Sequence, residues 1–220
     1  MSEKKALVAP QPGSPAGTDA ERIRAALLAI AAAEFASHGY AGARLESIAA
    51  EAGITRAMIY YYFGGREGLY VAVLEDAYNA IWQAEQCLIV DSLSPEEALR
   101  RLVEFRVNYY IQNPVFVALV SIENQQQAQH LKRSETVTSS AAPSLAHTAS
   151  VLKKGQASGV FREDINVVDL YQVIVSLGFF NVANRHTFGA IFRRDASDAS
   201  HVCEFVTDVV LRYVARHPKP

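Results

Sequence analysis

Apolar residues recur at helical spacing along most of the chain. The first stripe consists of residues four positions apart in an alanine-rich segment: Ile23, Leu27, Ala31 and Phe35. This spacing places one side chain per turn on the same face of a helix. Thr18 or Asp19 is a suitable N-cap for it, and Gly39 in the sequence SHGY is a suitable C-terminal cap. The pattern therefore predicts a first helix between these caps.

Two short apolar patterns follow, and glycine separates them. The first predicts a two-turn helix that ends at Gly53 and has the inward positions Leu45, Ile48, Ala49 and Ala52. The second begins after Thr55 as its cap and ends at the Gly64-Gly65 pair, with Ile59 and Phe63 inward. Two short helices that are joined by a tight turn and packed on a longer first helix form a helix-turn-helix.

Longer helical patterns fill the chain from Glu67 onward. The predicted helices cover about residues 67–88, 95–113, a segment that starts at Pro114, and then 134–157, 167–184 and 198–216. The predicted helix 95–113 has a strong N-terminal signal: Ser94 is the cap, and a proline and two glutamates follow it. Pro143 either kinks the predicted helix 134–157 or marks a later start. Because no alternating strand pattern of useful length appears, the sequence predicts an all-α fold.

Composition sets limits without assigning a function. The chain has 220 residues, of which 50% are hydrophobic, and its formal net charge is −2. No run reaches the roughly 18 apolar residues of a membrane span, and PQPGSPAG interrupts the place where a signal peptide has its apolar stretch. Cys87 and Cys203 lack metal-ligand spacing and indicate reduced thiols. We expect a cytoplasmic protein with no membrane partner, metal or cofactor.

The mild negative charge argues against binding of a polyanion by the whole surface, so a nucleic-acid site must depend on a few well-placed groups. The second short helix offers such groups on its outward positions: Thr55, Arg56, Ala57, Met58, Tyr60, Tyr61 and Tyr62. Hydroxyl and guanidinium groups donate to phosphates and bases, and the free N–H groups at the helix start add a phosphate site. For Tyr60 alone, packing against the next helix is an open alternative. It does not explain all three tyrosines, because adjacent residues of a helix point in different directions.

At these residues the chain resembles a known family. Residues 22–74 are similar to the N-terminal domain of TetR/AcrR-family transcriptional regulators. They share a Phe followed by Gly-Tyr, then IA..AGI, then IYYYF and a basic-Glu-x-Leu segment. The resemblance implies a three-helix DNA-binding domain at 18–66, preceded by an N-terminal arm at 1–17, which its proline and glycine content predicts to be disordered.

The resemblance also implies which residues contact a double-stranded DNA operator: Arg44, Thr55, Arg56, Ala57, Tyr60, Tyr61, Tyr62 and Arg66. Arg66 occupies the position of a phosphate-binding lysine of the family, and Arg44 the position of a threonine that touches phosphate. Two departures from the pattern are mild. Ala57 replaces a frequent glycine, which limits how closely the backbone approaches DNA, and Gly64-Gly65 replaces a Pro-Ser pair.

The rest of the chain resembles the family only in plan. By that resemblance, residues 67–217 form a larger helical domain that binds a small-molecule effector and forms a homodimer through the last two helices. The last helix supports a dimer independently through a wide apolar stripe: Val202, Phe205, Val206, Val209, Val210 and Tyr213. The alternative is that this stripe packs wholly within its own subunit.

Aromatic and polar residues on these helices are candidates for the effector site. The predicted contacts are Trp82, Tyr109, Phe116, Glu123, Asn124 and Gln127. Glu123 stands out because a carboxylate on an apolar helix needs a partner. That partner is either the effector or an arginine of the chain, Arg106 or Arg185.

The resulting hypothesis is a ligand-responsive repressor that binds a palindromic operator as a dimer and is released by its effector. A DNA-binding activator and a helical interaction module without DNA binding are the alternatives. An enzyme is not expected, because the chain has no nucleophile elbow, no phosphate loop and no HExxH motif. The six histidines are scattered, and FGGREG follows a helix where a dinucleotide-binding motif would follow a strand.

Overall fold

The protein is described by a computed structural model for residues 16–139, 141–193 and 198–216. Apart from one isolated bridge between Phe161 and Ala215, the regular elements of these residues are helices. In chain order they are α1 (Ala16–Gly42), α2 (Leu45–Ala52), α3 (Arg56–Phe63), α4 (Arg66–Gln86), α5 (Pro95–Gln112), α6 (Pro114–Gln125), α7 (Glu135–Ser139), α8 (Ala141–Ala157), α9 (Val167–Ala183), α10 (Arg185–Phe192) and α11 (Ala199–Val214), with a 3₁₀-helix at Leu131–Arg133. The predicted all-α fold is confirmed.

The first helix differs from its prediction at both ends. It begins at Ala16, so Thr18 and Asp19 lie inside it and the prediction that either one caps it is wrong. Gly39 has φ 71° and ψ 171°, which breaks the helix as predicted, but helical turns resume and continue to Gly42. A positive φ is accessible to glycine without the penalty that a Cβ atom would bring. The predicted arm lies outside the described residues, except for its last two positions, which begin α1.

The helix-turn-helix forms where the glycines predicted it. Gly53 ends α2 in the left-handed conformation with φ 67°, and Gly64 ends α3 in the same conformation with φ 73°. Thr55 is the N-cap residue of α3, although its side chain makes no capping hydrogen bond. The start of α5 is a complete capping box, in which Ser94 and Glu97 each bond the other's backbone N–H.

Two segments of the second half resolve differently from their predictions. The predicted helix 134–157 is two helices, α7 and α8, and Pro143 lies in the first turn of α8, where its missing N–H removes no helical hydrogen bond. The later start, not the kink, is therefore the correct alternative. The sequence did not predict α10, which follows α9 after Asn184 at an angle of 66°.

The described residues group into two compact units. The first unit holds the residues up to Tyr78 together with Ala118–Thr138, and the second holds Asn79–Val117 with the residues from Ser139 onward. The core of the first unit is built from α1 to α4, with Phe35, Ile48 and Ile59 fully buried. In the second unit, α5 packs against α8, α9 and α11 around a separate core.

No single helix in the described parts of the chain is long and apolar enough to cross a membrane. The pair α9 and α10 satisfies that test only when the two helices are taken together across their bend.

Candidate functional site

The outward face of α3 is the first candidate site, and its tyrosines are exposed. Ile59 is completely buried, whereas Tyr60, Tyr61 and Tyr62 are 47%, 84% and 52% exposed. The helix turns about 100° per residue, so burying Ile59 directs the next three side chains away from the core. Phe63 follows Ile59 by about one turn, so its side chain lies on the same side of the helix and is half-buried. The prediction that these positions face outward agrees with their exposure.

The three tyrosines have different surroundings. The ring of Tyr60 lies against the turn after α3: a Cβ atom added to Gly65 would be 3.2 Å from its Cε1 atom. Tyr60 therefore packs on the turn between α3 and α4 and is also 47% exposed, whereas the open alternative was that it packs against the next helix. Tyr61 makes an edge-to-face contact with Tyr62 at 5.1 Å. Tyr62 borders an open apolar cavity of about 170 Å³ between α1 and α3, whose apolar lining is Ile23, Leu27, Ile54, Met58, Tyr62 and Phe63.

Arg56 at the start of α3 makes two side-chain contacts. Its Nη1 atom donates to Oε1 of Glu46 on α2 at 2.6 Å, and its Nη2 atom donates to the hydroxyl of Tyr60 at 3.0 Å. The hydrogen bond to Tyr60, followed by the charge of Glu46, raises the pKa of Arg56 above its ordinary value. The neighbours Thr55 and Ala57 are exposed. Because Thr55 does not cap α3, its hydroxyl does not occupy the N–H groups of the first turn.

The two predicted phosphate contacts differ in how they are held. Arg44 is the exposed N-cap residue of α2, and its backbone N–H donates to Oε1 of Glu34 at 2.9 Å. The half-buried Arg66 donates from Nη1 to the carbonyl oxygens of Tyr40 and Ala41, at 3.1 and 2.9 Å, near the end of α1. Arg66 thus links α4 to α1 through its side chain, whereas the contact that ties Arg44 to another described residue is made by its backbone N–H.

Two family models match the chain. One, described as bacterial regulatory proteins of the tetR family, matches residues 27–73, and the other, described as tetracyclin repressor-like, C-terminal domain, matches residues 95–210. The second match alone covers more than half of the sequence. The chain belongs to the TetR family.

Curated relatives agree with this assignment. The TetR-family chain is 36% identical over 200 residues to the HTH-type transcriptional repressor NicS of Pseudomonas putida, covering 90% of this chain and 94% of NicS. It is 29% identical over 167 residues to the HTH-type transcriptional repressor SCO4008 of Streptomyces coelicolor, covering 74% and 79% of the two chains. The chain is therefore similar, over most of its length, to proteins that carry the name of repressor.

Solved structures show the same fold. A TetR-family regulatory protein from Rhodococcus RHA1 superposes with a TM-score of 0.70 at 16% identity, covering 90% of this chain and 99% of the other. The fatty acid degradation regulator FadR from Bacillus halodurans gives 0.67 at 19% identity, covering 86% and 94%. At such identities the likeness concerns the fold alone.

Three of the predicted effector contacts lie in the second unit of the TetR-family protein. Trp82 is half-buried on α4. Tyr109 on α5 meets the ring of Phe116 edge-to-face at 5.8 Å, and Phe116 stacks on Tyr110 at 6.0 Å. The structure therefore brings Tyr109 and Phe116 together in one aromatic cluster.

The other three predicted contacts lie in the first unit. Glu123 is 3% exposed, and its Oε1 atom accepts hydrogen bonds from the backbone N–H groups of His130 and Leu131 at 2.8 and 2.9 Å. Its Oε2 atom is 3.1 Å from Nδ1 of His130. The partner of this carboxylate is thus neither Arg106 nor Arg185. Asn124 and Gln127 are exposed at and beyond the end of α6.

Sequence reasoning missed a buried ion pair in the second unit. Arg106 on α5 is 3% exposed and donates to the carboxylate of Glu85, which is 5% exposed, and to the hydroxyl of Tyr171 at 3.2 Å. Burial raises the pKa of Glu85 above its ordinary value. One signal was available, because Arg106 continues the buried stripe of α5 three residues after Val103. In the part of the chain that the structure describes, no three His, Cys, Asp or Glu side chains are placed to hold a metal ion.

Proposed function

We propose that this protein is a transcriptional repressor that binds a palindromic operator as a homodimer and is released by a small-molecule effector. The observation that carries the proposal is the exposed face of α3, with its hydroxyl groups and one guanidinium, within a TetR-family helix-turn-helix. The repressor names of the relatives NicS and SCO4008 support it. The proposed place of action is the cytoplasm, where bacterial DNA lies.

In this proposal α3 enters the major groove, and residues 18–66 act as the DNA-binding domain. The proposed groove and phosphate contacts of α3 are Thr55, Arg56, Ala57, Tyr60, Tyr61 and Tyr62. Arg44 and Arg66 are proposed to contact phosphates on either side. A few contacts of this kind suffice in a chain of net charge −2, because helix N–H groups and hydroxyls also donate to phosphate oxygens.

The proposed dimer interface lies on α9 and α11, the two long helices near the C-terminus. Val206 and Val210 of α11 are buried within their own unit, so part of the predicted apolar stripe is satisfied without a partner. Other apolar side chains of these helices are exposed: Val168 by 52%, Phe180 by 52% and Phe205 by 47%. A two-fold dimer would cover this face with the same face of a second copy.

The proposed effector site lies in the helical part of the chain at 67–217. The favoured contacts lie in the second unit: the half-buried Trp82, and Tyr109 and Phe116, whose rings meet edge-to-face. Aromatic ring faces suit a small organic molecule. Asn124 and Gln127 belong to the first unit, and we propose them separately as polar contacts of an effector. The carboxylate of Glu123 already accepts from N–H groups of His130 and Leu131, so we propose that it acts by holding this segment. An effector that binds one state better than the other would lower the affinity for the operator.

Tyr61 provides the sharpest test of the proposed function, because it is 84% exposed. Replacing it with alanine should lower the affinity for the operator at least tenfold, since one contact worth about 1–3 kcal/mol is lost in each half-site. Stability should change by less than about 0.5 kcal/mol, because the packing that is removed is one contact with the ring of the exposed Tyr62. The operator is first selected from a library of duplexes with a randomised core, and affinity is then measured by fluorescence anisotropy.

The matched control is Ile89→Ala, which removes an 81% exposed apolar side chain from the second unit. It should leave operator affinity unchanged. Equal affinities of the wild-type protein and the Tyr61→Ala variant would contradict the proposed role of α3. Failure of the wild-type protein to enrich any sequence would contradict the function itself.

Arg44 tests the proposed phosphate contacts. Replacing it with alanine should weaken binding to all duplexes alike and reduce the slope of log affinity against log salt by about 2, because a dimer loses two contacts. The slope is measured by titrating one duplex at a series of salt concentrations. Arg101→Ala, which removes an exposed arginine from α5, should leave the slope unchanged. An unaltered slope in the Arg44→Ala variant would remove Arg44 from the phosphate contacts.

A further inference from the structure

Two side chains hold the guanidinium of Arg56 from two helices. Glu46 of α2 accepts from Nη1 at 2.6 Å, and Tyr60 of α3 accepts from Nη2 at 3.0 Å, with the guanidinium 5.4 Å from the centre of the Tyr60 ring. A guanidinium has five N–H donors in a planar fork. The remaining donors of Arg56 have no hydrogen-bond partner among the residues that the structure describes, and the side chain is 53% exposed.

Packing holds both the Tyr60 ring and the helix that carries Glu46. The Tyr60 ring lies on Gly65, where even a methyl group would come within 3.2 Å of it. Glu46 stands in the first turn of α2, which is anchored by the buried residues Leu45 and Ile48 on both sides of it in sequence. Hydrogen bonding to its own backbone N–H, followed by the nearby Arg56 and Arg44, lowers the pKa of the Glu46 carboxyl. Glu46 is therefore ionised when the protein is at neutral pH.

Stability does not account for the Glu46–Arg56 pair. Both side chains are 53% exposed, and exposed ion pairs contribute little to the folding free energy. A carboxylate beside a DNA-binding helix also repels phosphates, so it weakens binding to DNA of any sequence. The pair also orients the guanidinium of Arg56, and this offsets the loss of DNA affinity that the repulsion causes. A free arginine side chain loses rotamer entropy when it is ordered, and a side chain that is already held loses less on binding a base.

We propose that Glu46 is a positioning residue that sets operator specificity: it orients Arg56 to read a guanine in the major groove, and its charge weakens binding to unrelated DNA. Arginine pairs with O6 and N7 of guanine through two donors, so a fixed plane favours that base over the others. Tyr60 supports the same orientation from the other side. The inference rests on the proposed function, since it requires α3 to enter the groove.

Two substitutions separate orientation from charge. Glu46→Gln retains an amide oxygen that accepts from Arg56 but removes the negative charge, whereas Glu46→Ala removes both. Both variants should bind unrelated duplexes several-fold more tightly than the wild-type protein. Only Glu46→Ala should lose guanine preference, by about tenfold, which corresponds to one weakened base contact. The affected positions are those at which Arg56→Ala also loses preference.

The experiment selects duplexes from a library with a randomised core and sequences the bound fraction. It compares the wild-type protein with Glu46→Gln, Glu46→Ala, Arg56→Ala and the double variant Glu46→Ala/Arg56→Ala. In the Arg56→Ala background, removing Glu46 should change base preference no further, because its effect passes through Arg56. Glu51→Ala, an exposed carboxylate removed from the other end of α2, is the control and should keep the guanine preference. Circular dichroism and thermal unfolding establish that each variant is folded.

The inference is overturned if Glu46→Ala keeps the guanine preference of the wild-type protein. It is also overturned if Glu46→Ala changes preference equally with and without Arg56, because Glu46 would then act on the bases by another route. A wild-type protein that enriches no sequence shows instead that the proposed function is wrong. The two failures are therefore distinguishable.

Discussion

Replacing Glu85 with alanine is expected to lower the free energy of unfolding of the second unit by about 3–5 kcal/mol. Arg106 would then be left as a buried cation, 3% exposed, and among the residues that the structure describes its remaining hydrogen-bond partner would be the hydroxyl of Tyr171. An uncompensated charge in a low-dielectric interior costs far more than the small net contribution of the intact pair. The loss is a consequence of burial, so the same change at an exposed pair would have little effect.

Chemical denaturation followed by tryptophan fluorescence measures this loss. The chain has one tryptophan, Trp82, and it lies in the same unit as Glu85 and Arg106, so its signal reports local unfolding. The control is the double variant Glu85→Met/Arg106→Met, which removes both charges at similar volume and should be much more stable than Glu85→Ala. The prediction fails if the free energy of unfolding of Glu85→Ala lies within about 1 kcal/mol of the wild-type value, which is the effect expected for an exposed pair. Arg106 would then not be buried as the structure shows.

Replacing Glu123 with alanine should destabilise the first unit by on the order of 3 kcal/mol. The carboxylate accepts from the backbone N–H groups of His130 and Leu131 and lies 3.1 Å from Nδ1 of His130, and all of these groups lose their partner together. His130 is itself packed on the rings of Tyr40 and Tyr70, at 4.1 and 4.9 Å between ring centres. A loss of order in this segment would therefore reach the end of α1 and the start of α4.

Amide hydrogen exchange at His130 and Leu131, together with thermal unfolding, checks this prediction. The matched control is Glu123→Gln, because its amide oxygen replaces Oε1 as the acceptor for both backbone N–H groups. It should retain most of the stability and protection that Glu123→Ala loses. Equal losses in the two variants would mean that the charge, and not the hydrogen-bond geometry, holds the segment.

The helix-turn-helix was predictable because local rules decide it. Gly53 and Gly64 adopt the left-handed conformation that is typical of glycine at helix ends. Ile48 on α2 and Ile59 on α3 are both buried, as their positions in the apolar pattern predict. The same local argument predicted that the three tyrosines face outward. When Ile59 is buried, the next three positions of the helix point away from the core. Their exposure needed no knowledge of the rest of the fold.

The partners of the charged residues were not predictable in this way. The sequence left Glu123 with the effector, Arg106 or Arg185 as its partner, and the structure shows backbone N–H groups seven and eight residues later. Arg106 and Glu85 lie 21 residues apart on different helices, and no sequence motif connects them. The pairing of Arg56 with Glu46 likewise depends on how α2 packs beside α3.

By itself, the sequence determined the helical class of this protein, most helix boundaries, the family and the outward face of α3. These properties follow from backbone preferences and from apolar spacing, both of which act within a few turns. Tertiary structure alone decided which charges meet, that α10 is a separate helix and that Tyr60 both packs and faces solvent. Those outcomes depend on the distances between helices, and a pattern along one chain does not contain those distances.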